Sequence, residues 1–413
     1  MKAIVLYLHI HQPWRVRRGY SAFDTGVDHN YFYEHSSYLS ADNEAVLKKV
    51  AHKSYLPTSK ILLELLKKYP QFKLSLSITG TVIEQCEIWA PELLDVLREL
   101  VKTGRVEIVG ETYYHSLSFF FSRDEFERQV KMHSDKIFQI FGVRPTAFRG
   151  TELSYNDELG AWADAHKYKA ILAEGWDGVL GWRSPNFLYQ PPGAKHTKLL
   201  LKNYKLSDDF AFRFSNKSWK EYPLTMGKFG RWLDAADGQP LRNLFVDFET
   251  FGEHQWADTG IFEFLKEMPK EWLKDPEHTF MTVSEAATTF APAAEISMPR
   301  TVTWADTERD LTAWLGNRMQ QEAARYTYEL EKPVLASGDL DLISDWRRLT
   351  TSDHTYYMCT KWMSDGDVHS YFSPYDSPYD AFLYFMNALR DVRCRLLQIQ
   401  DQKVKTAARL AES

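Results

Sequence analysis

Two carboxylates in this sequence each follow an apolar run that is typical of a buried strand. Glu152 lies in a polar turn after the predicted strand 143–148, and Asp247 directly follows Val246. Because strand carboxyl ends converge at one edge of a barrel or open α/β sheet, we expect the two side chains to face each other. Such a pair can hydrolyse a glycosidic bond, one group as the acid and the other either attacking the sugar or activating a water. The structural alternative is that Glu152 merely pairs with Arg149.

Further polar and aromatic residues follow other predicted strands and are candidates to bind a substrate around this pair. They are His9, His11, Trp14, Glu111, His115, Arg149, Glu249, His254 and Trp256. Since side chains alternate along a strand, His9 and His11 point the same way and could bind a metal ion or donate hydrogen bonds to a ligand. No further ligands follow at the tight spacing of a metal site, so we predict ligand contact, with no metal and no cofactor.

The composition limits the classes of partner. At 413 residues the chain has room for one large barrel and a smaller module. The net charge is −6, and acidic and basic residues are interleaved without a basic stripe, which argues against nucleic acid. The 13 Trp, 22 Tyr and 25 Phe often lie beside Gly, Asp, Ser or His, as aromatic faces of a sugar cleft do, although a large core is the alternative.

The cysteines and the apolar segments indicate a compartment. Three cysteines lie far apart without CxxC spacing, which favours neither a disulfide framework nor a cysteine zinc site. The apolar start at 1–8 is too short for a signal core, and no stretch reaches the roughly twenty apolar residues of a membrane span. We therefore predict a cytoplasmic protein without a membrane partner.

Strand and helix patterns alternate through the first part of the chain, which predicts an α/β fold with a mainly parallel sheet and right-handed crossovers. The pattern changes after Pro269, and a proline-containing connector then leads to helical spacing. We predict a catalytic domain at 1–290 and a helical domain at 291–413. The stretch 19–43 has no periodicity and many aromatic residues, which predicts a functional loop.

Five segments together resemble the sequence regions of glycoside hydrolase family 57, the family of α-amylases and 4-α-glucanotransferases. They are His9-Ile-His-Gln-Pro13, Gly104-Arg-Val-Glu-Ile-Val-Gly-Glu111-Thr-Tyr-Tyr-His115, Phe148-Arg-Gly-Thr-Glu152, Asp247-Phe-Glu-Thr-Phe-Gly-Glu-His254 and Ala313-Trp-Leu-Gly-Asn317. The resemblance spans residues 1 to about 390. The sequence around Glu152 and Asp247 looks more like that of the α-amylase group than that of the glucanotransferase or branching-enzyme groups.

This resemblance implies an incomplete (β/α)7 barrel followed by a C-terminal α-helical domain. It also implies a retaining mechanism on α-1,4-glucans such as starch, glycogen or maltooligosaccharides, with Glu152 as the nucleophile and Asp247 as the general acid and base. Three residues of the helical domain are carried over as further glucan contacts, with interdomain packing as their alternative role. These residues are Trp314, Asp353 and His354.

Other functions stay open at the level of sequence. A 4-α-glucanotransferase would use the same two carboxylates and pass the sugar to a glucan instead of water. A metal-dependent polysaccharide deacetylase also uses strand-end His and Asp, but the closely spaced histidine pair that it normally needs is absent from this sequence. A non-catalytic glucan-binding protein would bind without producing new reducing ends. The sequence does not predict an oligomeric state.

Overall fold

The structure of this chain, a computed structural model, describes residues 1–33, 42–235, 238–361 and 373–412. The chain forms two compact units. The first unit comprises Met1–His11, Leu47–Tyr113 and Val130–Asp310, and the second comprises Gln12–Val46, Tyr114–Gln129 and Leu311–Ser413. Part of the predicted loop, residues 34–41, lies outside the described residues. The boundary between 1–290 and 291–413 stays a prediction, and each compact unit collects segments that are far apart in the sequence.

The strands of the described residues all lie in the first unit and are numbered in chain order. They are β1 (Lys2–Ile10), β2 (Leu74–Ile78), β3 (Val106–Ile108), β4 (Ala147–Arg149), β5 (Ala170–Glu174), β6 (Tyr189–Gln190), β7 (Lys198–Lys202), β8 (Leu241–Asp247), β9 (His278–Phe280) and β10 (Ala294–Glu295). Their pairing orders are β3-β2-β1-β8, with β9 also on β1, and β10-β6-β7-β5-β4. Every pair is parallel except β6 with β7.

Two short connections bring these sheets into one barrel. Gly110, just after β3, forms a parallel bridge with Phe148 in β4. Between β7 and β8, the Asn203 N–H donates to the Asn243 carbonyl at 2.9 Å. The described residues thus give seven parallel barrel strands, namely β1 to β5, β7 and β8, and the predicted (β/α)7-type fold with a helical C-terminal part is confirmed.

The helices of the first unit follow the strands. Its α-helices span Leu56–Lys68, Gly80–Trp89, Pro91–Lys102, Asp157–Ala165, Asp177–Leu180, Tyr204–Ala211, Met226–Asp234, Ile261–Trp272 and Val283–Thr289, with a π-helix at Ala51–Tyr55. Two α-helices, Asn43–Val50 and Arg123–Phe141, contribute residues to both units. Local sequence sets their starts: the Asn156 side chain, for example, accepts the Leu159 N–H at 2.9 Å and caps the helix that follows Glu152.

The second unit is helical. Its α-helices span Thr312–Leu315, Arg318–Glu329, Glu331–Ser337, Leu340–Leu349, Ser352–Tyr356 and Pro378–Glu412. Within it, the fully buried Asp391 of the last helix accepts hydrogen bonds from the Gly26 N–H, His29 and the Tyr31 hydroxyl. The described part of the 19–43 stretch is therefore anchored by a buried carboxylate. Among the described residues, no helix combines the length and apolar character needed to cross a membrane.

Candidate active site

Glu152 lies in a 3-10 turn, Thr151–Leu153, directly after β4. Its φ of 58° and ψ of 30° place a non-glycine residue in the left-handed region. Such a conformation costs roughly 1–3 kcal/mol and persists where surrounding contacts impose it. Here Tyr155 forms an antiparallel bridge with Val302, which fixes the chain just beyond the turn. The fold thus holds Glu152 in a conformation that a free turn would avoid.

Trp304 contacts Glu152 and was not predicted as a site residue. Its indole Nε1–H donates to Glu152 Oε2 at 3.2 Å, and its backbone N–H donates to the Glu152 carbonyl at 3.4 Å. The guanidinium of Arg149 lies 5.0 Å from the indole ring centroid. Sequence reasoning missed Trp304 because it follows the predicted boundary at 290. Its sequence signal is a tryptophan beside the polar run Ala-Asp-Thr-Glu.

Asp247 ends β8, where it is in register with His9 of β1. His9 Nδ1 lies 3.6 Å from Asp247 Oδ1, and His9 Nε2 lies 3.3 Å from Glu111 Oε2, so His9 stands between two carboxylates. Burial raises the pKa of Asp247, but the hydrogen bond and charge of His9, with the charges of His254 and Arg149, bring that pKa below its ordinary value. Asp247 is therefore a carboxylate near neutral pH.

Arg149 is the charged centre of the site. It ends β4, is fully buried, and its Nη1 donates to Glu111 Oε2 at 3.5 Å. Burial lowers the pKa of Arg149, yet the charges of Tyr7, Glu111, Glu152 and Asp247 raise it above its ordinary value. The charge of Arg149 thus acts on both carboxylates of the predicted pair. Glu152 has partners beyond Arg149, since Trp304 also donates to it.

Glu111 has a second support that the sequence did not indicate. The Glu111 backbone N–H donates to His133 Nδ1 at 3.5 Å, and His133 Nε2 lies 2.9 Å from the Ile78 carbonyl. Burial lowers the pKa of the fully buried His133, so the neutral ring can accept at Nδ1 and donate at Nε2. His133 lies within the helix Arg123–Phe141, and a single histidine within a helix does not by itself predict a site residue.

Glu249 and His254 belong to the loop that follows Asp247. The buried Glu249 accepts a hydrogen bond from the Tyr55 hydroxyl, which anchors the loop to the π-helix Ala51–Tyr55. The His254 N–H donates to the Glu249 carbonyl at 2.8 Å. Burial lowers the pKa of His254, and the charges of Asp247 and Glu253 oppose that shift only in part. His254 is therefore neutral near neutral pH.

The same loop depends on Gly252, and Gly252→Ala is expected to destabilise the protein by roughly 2–4 kcal/mol. Gly252 has a φ of 112°, and a Cβ there would lie 2.1 Å from the Lys53 carbonyl oxygen. The matched control is Gly227→Ala, since that helical position has open space around it and a change within about 1 kcal/mol is expected. Thermal unfolding measures both variants, and equal midpoints would contradict the expectation.

Two other predicted residues of the first unit are the half-buried His11 and the exposed Trp256. His11 Nδ1 lies 2.9 Å from the Thr79 hydroxyl oxygen, in the cap of the helix after β2. Trp256 is 59% exposed, and Lys53 Nζ lies 5.3 Å from its ring centroid. Trp256 is therefore available to stack on a ligand, which stays a prediction.

The remaining predicted residues belong to the second unit. They are Trp14, His115, Trp314, Asp353 and His354. Trp14 is fully buried, with the Arg348 guanidinium 4.3 Å from its ring centroid. Trp314 is buried as well, and its ring lies 5.8 Å from that of Tyr356.

The two histidines of this set are also buried, and Asp353 is half-buried in the helix Ser352–Tyr356. The His115 carbonyl accepts the Ser352 N–H at 2.9 Å. His354 Nε2 donates to the Arg348 carbonyl at 3.2 Å, and burial lowers the pKa of His354 to about 4. Trp14 and Trp314 thus pack against other side chains within this unit, and contact of these five residues with a glucan stays a prediction.

Residue types that can ligate a metal occur in both units. His9 and Glu111 offer two such atoms in the first unit, and His115 and Asp353 are ligand types in the second. The expectation that the protein uses no metal stays a prediction.

Comparison with known proteins connects this chain to a family. The sequence model of glycosyl hydrolase family 57 matches residues 5–299. A protein of Methanocaldococcus jannaschii with a provisional alpha-amylase name is 40% identical over 400 residues, which are 94% of this chain and 83% of that protein. The 4-alpha-glucanotransferase of Thermococcus litoralis is 29% identical over 262 residues, which are 62% of this chain and 38% of the transferase.

A solved structure shows the same fold at low sequence identity. The family 57 branching enzyme of Thermococcus kodakaraensis superposes with a TM-score of 0.65 at 13% identity. The superposition covers 90% of this chain and 87% of the enzyme. This likeness concerns the fold, and the functional argument depends on the site itself.

Proposed function

This chain belongs to glycosyl hydrolase family 57, and we propose that it is an α-amylase-type enzyme that hydrolyses α-1,4 bonds within starch, glycogen or maltooligosaccharides. The observation that carries the proposal is the placement of Glu152 and Asp247. Glu152 follows β4 and Asp247 ends β8, and the buried charge of Arg149 acts on both. Two carboxylates at one edge of a barrel are what glycoside hydrolysis requires.

In the proposed mechanism Glu152 attacks the anomeric carbon and forms a covalent glycosyl ester while the bond to the glycosidic oxygen breaks. Asp247 gives its proton to that oxygen, so the leaving glucan departs as an alcohol. Asp247 then accepts a proton from water as the water attacks the anomeric carbon, the bond from that carbon to Glu152 breaks, and Glu152 leaves as a carboxylate. Two inversions at the same carbon retain its configuration. Arg149 and the Trp304 N–H stabilise the carboxylate form of Glu152.

The ionised state of Asp247 fits this mechanism if glucan binding changes its surroundings. A general acid must hold a proton, whereas the partners His9, His254 and Arg149 favour the carboxylate. A bound glucan excludes water, and desolvation raises the pKa of a carboxyl group. We therefore propose that Asp247 takes up its proton when substrate binds.

The alternative function is 4-α-glucan transfer at the same two residues. It is favoured by the similarity to the T. litoralis protein, which carries the glucanotransferase name. In that case the hydroxyl of a second glucan replaces water in the second step, and Asp247 deprotonates it. The chemistry of Glu152 is the same in both reactions, so the acceptor alone distinguishes them.

The proposal also includes partners and location. An α-glucan is the proposed ligand, and the acidic and basic residues interleaved along the sequence give no reason to expect nucleic acid. The described cysteines Cys86, Cys359 and Cys394 are free thiols, which suits the proposed cytoplasmic location.

The test is incubation of the purified protein with starch and with maltooligosaccharides of defined length, while reducing ends and product lengths are followed over time. New reducing ends with shorter products are expected. Longer products at a constant number of reducing ends would instead establish glucan transfer.

Two controls exclude the other classes of protein. A deacetylase would release acetate from acetylated polysaccharide and lose that activity on chelation. A binding protein without chemistry would retain glucan on an affinity gel and leave its length unchanged. Acetate release that is lost on chelation, or retention of glucan on the gel, would overturn the proposed function if glucan length does not change.

A further inference from the structure

Four charged side chains form a buried cluster that the proposed mechanism does not use. They are Glu174, Lys202, Asp208 and Arg309. Glu174 Oε2 lies 3.1 Å from Arg309 Nη1 and 3.6 Å from Lys202 Nζ. Asp208 accepts from Lys202 at 3.1 Å and lies 3.8 Å from Arg309. Their side chains are at most 14% exposed, and Glu174 is fully buried.

Burial of these charges is costly for the fold. Desolvation of an ion pair commonly outweighs the attraction that it gains, and apolar residues of similar volume often give equal or greater stability. Glu174 ends β5 and Lys202 ends β7, at the same edge of the barrel as Arg149 and Asp247. Charge at this edge is typical of function, whereas a purely structural role would not require it there.

The cluster is joined to Glu152 through Trp304. Arg309 Nη1, besides its contact with Glu174, donates to the Trp304 carbonyl oxygen. Lys202 Nζ lies 5.6 Å from the centroid of the Trp304 ring. The Trp304 indole then donates to Glu152 Oε2 at 3.2 Å.

The chain around Trp304 needs this support. The Thr303 N–H donates to the Arg309 carbonyl at 2.9 Å, which closes a short loop from 303 to 309. Asp306 and Arg309 in this loop both have positive φ values, of 57° and 53°. Such conformations are strained for residues other than glycine and persist where surrounding contacts impose them. The buried ion pair of Arg309 with Glu174 holds the 303–309 loop in this conformation.

We propose that Arg309 is a positioning residue, which Glu174 holds so that Trp304 keeps its indole N–H on the Glu152 carboxylate. The inference rests on the proposed role of Glu152 as nucleophile. A carboxylate that accepts a fixed donor is aimed at one position, and displacement by about 1 Å can cost a hundredfold in rate. Arg309 acts through Trp304 and does not itself touch the reacting atoms.

The test compares Arg309→Met with the double variant Glu174→Gln/Arg309→Met, which also removes the charge of the carboxylate that loses its arginine partner in the single change. Both are expected to lower kcat on maltooligosaccharides by roughly 10- to 100-fold, with KM changed by less than about twofold. Arg309→Lys is expected to recover part of kcat. The matched control is Arg144→Met, which removes an exposed arginine paired with Asp135 and is expected to leave kcat unchanged.

A second readout does not depend on turnover. The indole 1H–15N signal of Trp304 is assigned by its loss in Trp304→Phe, and Glu152→Gln is expected to move it because the acceptor loses its charge. In the two Arg309→Met proteins the signal is expected to move away from its wild-type position. If the wild-type protein does not act on glucans, the proposed function is wrong. The Trp304 signal still tests whether Arg309 positions the Trp304 indole.

The inference is overturned if both Arg309→Met proteins keep wild-type kcat and the wild-type Trp304 signal. It is also overturned if they lower the unfolding temperature alone. If Arg309→Met by itself does not fold, the kcat and the Trp304 signal of the double variant are the test.

Discussion

Glu152→Gln is expected to lower kcat on maltooligosaccharides by on the order of 10⁴-fold or more, because loss of a covalent nucleophile removes the reaction path itself. The amide keeps the shape of the side chain and an oxygen that can accept the Trp304 N–H. Folding and glucan binding are therefore expected to persist. Release of reducing ends and the unfolding temperature measure the two effects.

Glu158→Gln is the matched control, since Glu158 is an exposed carboxylate in the helix that follows the site. It is expected to keep wild-type turnover. A Glu152→Gln protein with undiminished turnover would exclude Glu152 as the nucleophile and leave the family assignment intact.

The truncated variant Glu152→Ala adds a stereochemical test of the same prediction. Azide can enter the space left by the carboxylate and attack the anomeric carbon of α-maltosyl fluoride, with fluoride as the leaving group. A single inversion then gives a β-maltosyl azide. An α-azide, or no azide product together with wild-type hydrolysis, would contradict the proposed role.

Asp247→Asn is expected to lower kcat/KM on maltooligosaccharides by roughly 10²- to 10⁴-fold, the usual contribution of a general acid and base. Fluoride leaves without a proton, so kcat/KM for α-maltosyl fluoride is expected to fall much less. The ratio of the two values separates loss of the acid from loss of binding, since a binding defect would lower both alike.

Asp258→Asn is the control for this experiment, because Asp258 lies in the same region of the chain and is exposed. Equal losses on both substrates in Asp247→Asn would exclude Asp247 as the acid. In that event His9, which lies against both Asp247 and Glu111, is the next proton donor to test.

The position of the site along the barrel strands could be predicted from the sequence. Continuous apolar runs followed by polar turns identified the strands that end near His9, Glu111, Glu152 and Asp247, because both the strand and its end are local features. The start of β4 was predicted too early. The structure begins it at Ala147, after Pro145, which lacks the N–H that a sheet requires.

The partners of these residues could not be predicted in the same way. Trp304 reaches Glu152, and Arg309 reaches Glu174, from segments more than a hundred residues away in sequence. The start of the helix beyond Glu152 makes a similar long-range contact, since Asp157 accepts the Met298 N–H at 2.7 Å. No local pattern records such a contact, because it depends on how separate elements pack.

The burial of the predicted aromatic and histidine residues also depends on how separate elements pack. Trp14 was predicted from its residue type and His354 from the family resemblance, yet the structure buries both, whereas Trp256 is exposed. Residue type and spacing determine which side chains are capable of a given chemistry, and these were readable from the chain alone. Which of them are exposed, and which partners set their pKa values, was decided only by the tertiary structure, since exposure and electrostatic environment arise from every element packed around a residue.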